Sequence, residues 1–469
     1  MRPRRISQPL SRAAQGPGWT CPTDYVGLVT AAPAARATTT VVSRPVAAAG
    51  PLLDSLPSPR GALSFVRRGS GPGATEGAAA GPSDREEGLV GWGEYARLVV
   101  TGPDAAEQIG RWFDELAAGL AVDDQVGVRG SGLVAFVSLG FDDGDPSVAV
   151  VPQVVRGRFA GRDFVTAIDG SAYDALARTA SPLSGFGPAR PVRSPGAVTY
   201  QEPDAAIAGY TAAVQEAGRR IRRGDLDKVV IAQELRATTG RPVDERFLLH
   251  HLARRYPDCW TFAVDGLVGA TPELLLRRQG GTVTSRVLAG TTWHGRAEVT
   301  GGSLGTAKNV AEHGYAVRSV AQVLSAVCDE LTIPDPEPLV LANLTHLSTT
   351  LVGTLRAGAA GKDAPSALTL AAALHPTAAV GGAPTEVARA VIRELEPAGR
   401  GRYAAPVGWI TADGDGELGI ALRCAHVDGQ DVRLQAGCGI VAESDPGTEA
   451  REAAVKMIPM RDALENRLH

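Results

Sequence analysis

Only four of the 47 basic side chains in this 469-residue chain are lysines: Lys228, Lys308, Lys362 and Lys456. Where a bare positive charge suffices, the chain uses arginine. A lysine offers what arginine cannot: desolvation can bring its amine into a range where it loses its proton, whereas a guanidinium stays charged. Lys228 opens "KVVIAQEL", a β-branched run suited to a strand. Taken alone it reads equally as a solvated charge at a strand mouth.

Carboxylates supply the second set of candidates. Glu449, Glu452 and Lys456 in "SDPGTEAREAAVKM" are spaced i, i+3 and i+7, so they share one helix face. Two such glutamates, joined by a third from another helix, can present oxygens to one hard cation. Mg²⁺ suits that arrangement because it accepts a few carboxylates and keeps positions for water and an anionic substrate. A solvated face with a Glu452–Lys456 surface pair is the plainer alternative. Glu273, His346 and His375 are each compatible with an ordinary structural role. "GGSLGTAKN" lacks the Gly-Lys-Ser/Thr ending of a phosphate loop.

The surrounding pattern predicts the elements that position these groups. "PDAAIAGYTAAVQEAGRRIRRG" steps through Ile207, Tyr210, Val214, Ala217 and Ile221 as an amphipathic helix stopped at Gly224. "TPELLLRRQGGTVTSRVLAGT" predicts two strands about Gly280-Gly281, with Glu273 at the start of the first. "TAKNVAEHGYAVRSVAQVLSAVCDEL" predicts one helix with a stripe from Val310 to Leu331 and Glu312 at its edge. Asp445 and Pro446 form an N-cap and first-turn signal for a closing helix.

Composition narrows the class. A net charge of -4 gives no reason to expect nucleic acid or an anionic membrane as partner, and no apolar run approaches a membrane span. Five scattered cysteines without CxxC spacing suggest neither a disulfide framework nor a thiolate zinc site, which points to a reducing cytoplasm. Residues 1–47 are Arg-rich, acid-poor and aperiodic, and are expected to form a disordered extension. Residues 48–469 are expected to form one catalytic domain, with a flexible Gly/Ala/Pro insertion at about 70–87.

In chain order, "DKVVIAQEL", "GATPELLLRR", "LAGT", "KNVAEH", "THLSTTLVG", "HPTAAVGGAP", "GRYAAPVGW", "IALRCAHV", "AGCGIVAESDP" and "EAREAAVK" resemble the motif series of the chorismate-utilising enzymes. That family includes isochorismate synthases, salicylate synthases and the first components of anthranilate and aminodeoxychorismate synthases. The resemblance spans about residues 200–460 and is weaker from about 50 to 200. It implies an α/β (α+β) fold, a single large anthranilate-synthase-like domain in which two packed antiparallel sheets are flanked by helices.

Carried over residue by residue, the resemblance implies that Lys228 activates water for attack at C2 of chorismate and that Glu273 protonates the departing C4 hydroxyl. It assigns Glu312 and Glu452 to Mg²⁺, with Glu449 in a supporting or water-bridged role. Tyr403 and Arg423 match the pair that binds the enolpyruvyl carboxylate, and Lys456 and Gly437 border the substrate anion. Gly290 and Thr291 are expected to line the ring site, with His346 near the ring carboxylate. Chorismate is the implied small-molecule partner; no obligatory protein partner is expected and the chain is read as a monomer.

Two positions favour the isochorismate synthases within the family. Ala379 in "HPTAAVGG" stands where ammonia-using and salicylate-forming members tend to carry Thr or Ser. Ala289 stands where aminodeoxychorismate synthases place a nucleophilic lysine. Salicylate synthase, anthranilate synthase component I and a non-catalytic chorismate-binding paralogue are the alternatives. Asn309, "AGTTWHG", Ala405 and Ala450 depart from the usual motifs and bear on fine geometry and Mg²⁺ affinity.

Overall fold

The computed structural model describes residues 39–48, 50–68, 86–168, 191–293, 304–341, 344–356 and 364–467. Among these, the chain builds a thirteen-stranded and a ten-stranded sheet with seven α-helices. The expected architecture of two antiparallel sheets flanked by helices is the one found. The sole parallel pairing in the described sheets joins Thr40–Pro45 to Ala121–Asp124.

In the larger sheet, Lys228–Thr239 pairs along its length with Asp431–Ile440. Its burial is continuous over the first four residues and alternates thereafter. Alternation marks a strand with one solvated face, and continuous burial marks one covered on both. Lys228 therefore lies at the deep end of the strand, where Gly382–Ala383 pairs against it. A solvated charge at a strand mouth is excluded, because the residue has no exposed surface.

The smaller sheet places Leu344–Leu355, Thr282–Trp293, Leu274–Gln279 and Gly416–Ile420 side by side in that order. The predicted hairpin about Gly280-Gly281 is present. Phe65, Phe136, Trp260 and Trp409 belong to one large apolar cluster, and Leu248, Leu252, Met457 and Met460 to a second.

Helix Pro203–Arg222 matches its prediction, although Ile207 on the expected stripe is exposed in the first turns. The closing helix Pro446–Glu465 is capped as predicted, with the Asp445 carboxylate accepting from the Thr448 amide at 2.8 Å.

Three expectations are corrected. The helix bearing Glu312 ends at Ser325, and Cys328–Thr332 forms an edge strand. Val327 and Leu331 continue the apolar spacing by coincidence, and strand pairing with Leu344–Leu355 overrides it. Thr40–Pro45, inside the stretch read as a disordered extension, is a strand, since Val41 and Val42 are buried against the partner strand Arg162–Ile168. Glu86 and Glu87, at the end of the expected insertion, open the strand Glu86–Trp92, where the buried Glu86 carboxylate accepts from the Leu52 amide at 2.7 Å. The rest of both segments, 1–38 and 69–85, lies outside the described residues. No helix among the described residues is long and apolar enough to cross a membrane.

Candidate active site

Glu273, Thr291, Glu312, His346, Ala379, Tyr403, Arg423, Gly437 and Lys456 line one pocket. They arrive from both sheets, from the helix Ala307–Ser325 and from the closing helix. No two neighbouring motifs of the sequence could have built it locally.

Lys228 is not itself among the lining residues; it is fully buried behind Glu312 and Gly439, which are. Its Nζ lies 3.4 Å from Glu312 Oε1. Between the two side chains passes Gly439, where a Cβ would stand 2.2 Å from Glu312 Oε1 and 2.9 Å from Lys228 Cε. Glycine is required there to let the pair meet. Burial pulls the Lys228 pKa below that of an ordinary lysine, against the opposing pull of Glu312.

Lys456 behaves in the opposite way. It lies 2.7 Å from Glu452 Oε1 and donates to the Gly437 carbonyl at 3.0 Å. Burial opposes its charge, but the Glu452 carboxylate against it helps to hold its pKa above the usual value. Burial thus makes one lysine give up its proton more readily than usual, while the other holds its proton more tightly.

Glu273 sits directly before the strand Leu274–Gln279, its amide donating to Thr271 Oγ1 at 3.2 Å. Burial pushes its carboxyl up to about 8, with Arg423 and Lys228 pulling the other way. The group is therefore a protonated acid at neutral pH.

His346 is held between two partners. Arg423 Nη2 approaches its Nε2 at 3.2 Å, and Thr291 Oγ1 approaches its Nδ1 at 3.0 Å. A guanidinium can only donate, so Nε2 accepts and Nδ1 carries the ring proton toward Thr291. Burial, reinforced by Arg423, pushes the imidazole pKa well down, which keeps the ring neutral. Tyr403, likewise buried, has its hydroxyl pushed up to about 12 and stays a neutral donor.

The three glutamates expected at a metal divide into two groups. Glu312 lines the pocket beside Lys228, whereas Glu449 and Glu452 gather with Cys438, their ligand atoms all within 4.8 Å of one another. Burial keeps the Cys438 thiol pKa well above the usual value, so the donors suited to a hard cation are the carboxylates. Glu449 and Glu452, one helical turn apart on the closing helix, offer the hard oxygen donors that Mg²⁺ takes, and Glu312 is not in the group gathered with them.

Gly290 is not among the lining residues. It takes φ +73°, and a Cβ there would stand 2.8 Å from the Asn309 carbonyl, so it serves the close passage of strand over helix. His375 is a structural histidine, bonded to the Phe141 carbonyl and edge-on to its ring. Gly439 was missed by sequence reasoning, although the paired glycines of "AGCGIV" carried the signal. Pro272, Val230 and Leu422 also line the pocket, and nothing in their residue types marked them.

The family model described as chorismate binding enzyme matches residues 80–465 of the chain. The isochorismate synthase MenF of Bacillus subtilis (strain 168) is 38% identical over 262 residues. That match covers 54% of this chain and 54% of the relative, so it spans about half of the relative's length. Among solved structures, the menaquinone-specific isochorismate synthase MenF of Escherichia coli superposes with a TM-score of 0.69 at 24% identity, over 91% of this chain and 94% of that one. Anthranilate synthase component I of Streptococcus pneumoniae TIGR4 gives 0.63 at 21%, over 84% and 95%. These two likenesses establish the fold.

Proposed function

The chain belongs to the chorismate-binding enzyme family, and on that premise we propose that it is a Mg²⁺-dependent isochorismate synthase. The observation that carries the reading is that Glu273, its carboxyl pushed up to about 8 by burial, lines the same pocket as Glu312, and that Glu312 is met from behind at 3.4 Å by a buried lysine whose pKa is pulled down. A lysine that gives up its proton more readily than usual and a carboxyl that keeps its own to about pH 8 suit the base and the acid that this reaction needs.

In this reading Lys228 takes a proton from water as its oxygen bonds to C2 of chorismate. The ring diene shifts, the C4–oxygen bond breaks, and Glu273 gives its proton to the departing hydroxyl, which leaves as water. One water enters and one leaves, so the reaction is an isomerisation. Arg423, oriented by His346, and Lys456 supply cations for the two carboxylates of a dianionic substrate. Glu312 and Glu452, supported by Glu449, would hold Mg²⁺, which when bound supplies positive charge to the ring carboxylate.

Ala289 and Ala379 favour hydration over the alternatives, because neither offers a side chain that could act as nucleophile or hold one. Two of the similar solved structures are named as a menaquinone-specific and a 2,3-dihydroxybenzoate-specific isochorismate synthase, and menaquinone or siderophore biosynthesis fits the reaction. The test is to incubate purified protein with chorismate and Mg²⁺ and identify the product by chromatography. Isochorismate is expected; salicylate with pyruvate, or anthranilate on adding ammonium, would replace the assignment.

A further inference from the structure

We infer that Arg286 is a positioning residue for Glu273: its guanidinium grips the carbonyl of the preceding proline and fixes the turn that aims the acid into the pocket. Arg286 lies on the strand Thr282–Trp293, in register with Leu274, the residue that follows Glu273. Its Nη2 donates to the Pro272 carbonyl at 2.6 Å, and Pro272 itself lines the pocket.

The arginine is locked from behind. Its guanidinium carbon lies 4.8 Å from the Trp260 ring centroid, a cation–π distance. The Trp260 indole N–H donates to Glu417 at 2.9 Å, and Glu417 is held by Arg277 at 2.6 Å and Arg129 at 2.9 Å. A buried carboxylate, an indole and a guanidinium thus form a fixed stack ending on the backbone that carries the acid. Arg67 lies 4.5 Å from the same indole centroid.

An apolar side chain would fill the space against Trp260 without cost. Instead the position holds a cation whose pKa burial and Arg67 lower to about 10. A buried charge with an unfavourable neighbour needs a compensating use. The acid supplies one, because Glu273 becomes a buried carboxylate once it has given up its proton. Arg423 before the strand Cys424–Asp428, Lys228 from its strand end, and Arg286 are the cations that act on it, with Lys456, Glu312, Tyr403 and the neutral His346 lining the same pocket.

This inference rests on Glu273 being the acid. It is tested with the full chain by steady-state kinetics on chorismate for Arg286→Met, Arg286→Gln and Arg286→Lys, each checked by thermal melting. Arg286→Met is expected to lower kcat about 10- to 100-fold with KM within about twofold, as a small misplacement of a catalytic group does. Removing a cation raises the pKa of a nearby carboxyl, so the basic limb of kcat should move to higher pH in both the Met and Gln variants. Gln keeps a donor for the Pro272 carbonyl and should retain more rate than Met, and Lys should recover rate and restore the limb. Should Arg286→Met fail to fold, the Gln and Lys variants carry the comparison alone. Wild-type kcat in the neutral variants, or lost rate with an unmoved basic limb and no recovery by Lys, overturns the role. Failure of the parent reading looks different: Glu273→Gln would then retain turnover.

Discussion

The amine of Lys228 lies 3.4 Å from Glu312 Oε1 with no exposed surface of its own, so a buried lysine backs a pocket-lining glutamate at a point where only a glycine, Gly439, leaves room for both. Burial favours the neutral amine and Glu312 favours the ammonium, and burial is the larger effect. Replacing Lys228 by Met or Ala removes the only amine at that position. Turnover is expected to fall by about 100- to 10,000-fold, the usual worth of a general base. Circular dichroism and the melting transition should stay close to wild type; a rate within a few-fold of wild type would take Lys228 out of the mechanism.

Glu273→Gln keeps the size and a hydrogen-bond donor but cannot give up a proton. The expected loss in kcat is again about 100- to 10,000-fold. The fold should persist, because the Glu273 pKa pushed up to about 8 means that a neutral side chain already occupies the site at pH 7.

The pH dependence follows from the two shifts. Activity requires Lys228 unprotonated, so it falls as pH drops below the depressed lysine pKa. It also requires Glu273 protonated, so it falls as pH rises past about 8. A bell-shaped kcat profile is expected, with the basic limb lost or displaced when Glu273 is changed. A rate still rising above pH 9 in the wild type would contradict the acid's assignment.

How much of this was legible in the sequence differs from element to element. Period and capping located the closing helix, because Asp445, Pro446 and the glutamate spacing are local signals read within one turn. The end of the Glu312 helix was misread, since the choice between helix and strand for Cys328–Thr332 is made by pairing with Leu344–Leu355, far along the chain. Lys228 was identified by residue type and motif, but its complete burial was not, because that depends on both sheets and the short pairing with Gly382–Ala383. Gly439 and Arg286 act through atoms on distant segments; the paired glycines of "AGCGIV" hint at the first, and no single-segment pattern marks the second.

Two glycines on one strand separate chemistry from folding. A Cβ at Gly439 meets the flexible end of Glu312, so Gly439→Ala should part the Lys228–Glu312 pair and cost activity at least tenfold while leaving the melting temperature little changed. A Cβ at Gly437 meets the Ile231 backbone carbonyl at 2.5 Å, which cannot move cheaply. Gly437→Ala should therefore destabilise the fold by about 1–3 kcal/mol, read from denaturant unfolding. Equal stability losses in the two variants would contradict this division.

The metal assignment is tested through Glu452. Glu452→Ala is expected to raise the Mg²⁺ concentration needed for half-maximal rate at least tenfold, and to weaken Mg²⁺ binding measured calorimetrically without substrate. An unchanged titration would move the cation elsewhere.

Oxygen labelling shows whether Lys228 delivers a solvent water to C2 while the C4 oxygen departs. With chorismate and Mg²⁺ in ¹⁸O-water, mass spectrometry should find isochorismate carrying one solvent-derived oxygen at C2. Unlabelled isochorismate would mean that the hydroxyl migrates within the substrate, and would rule out attack by a solvent water at C2.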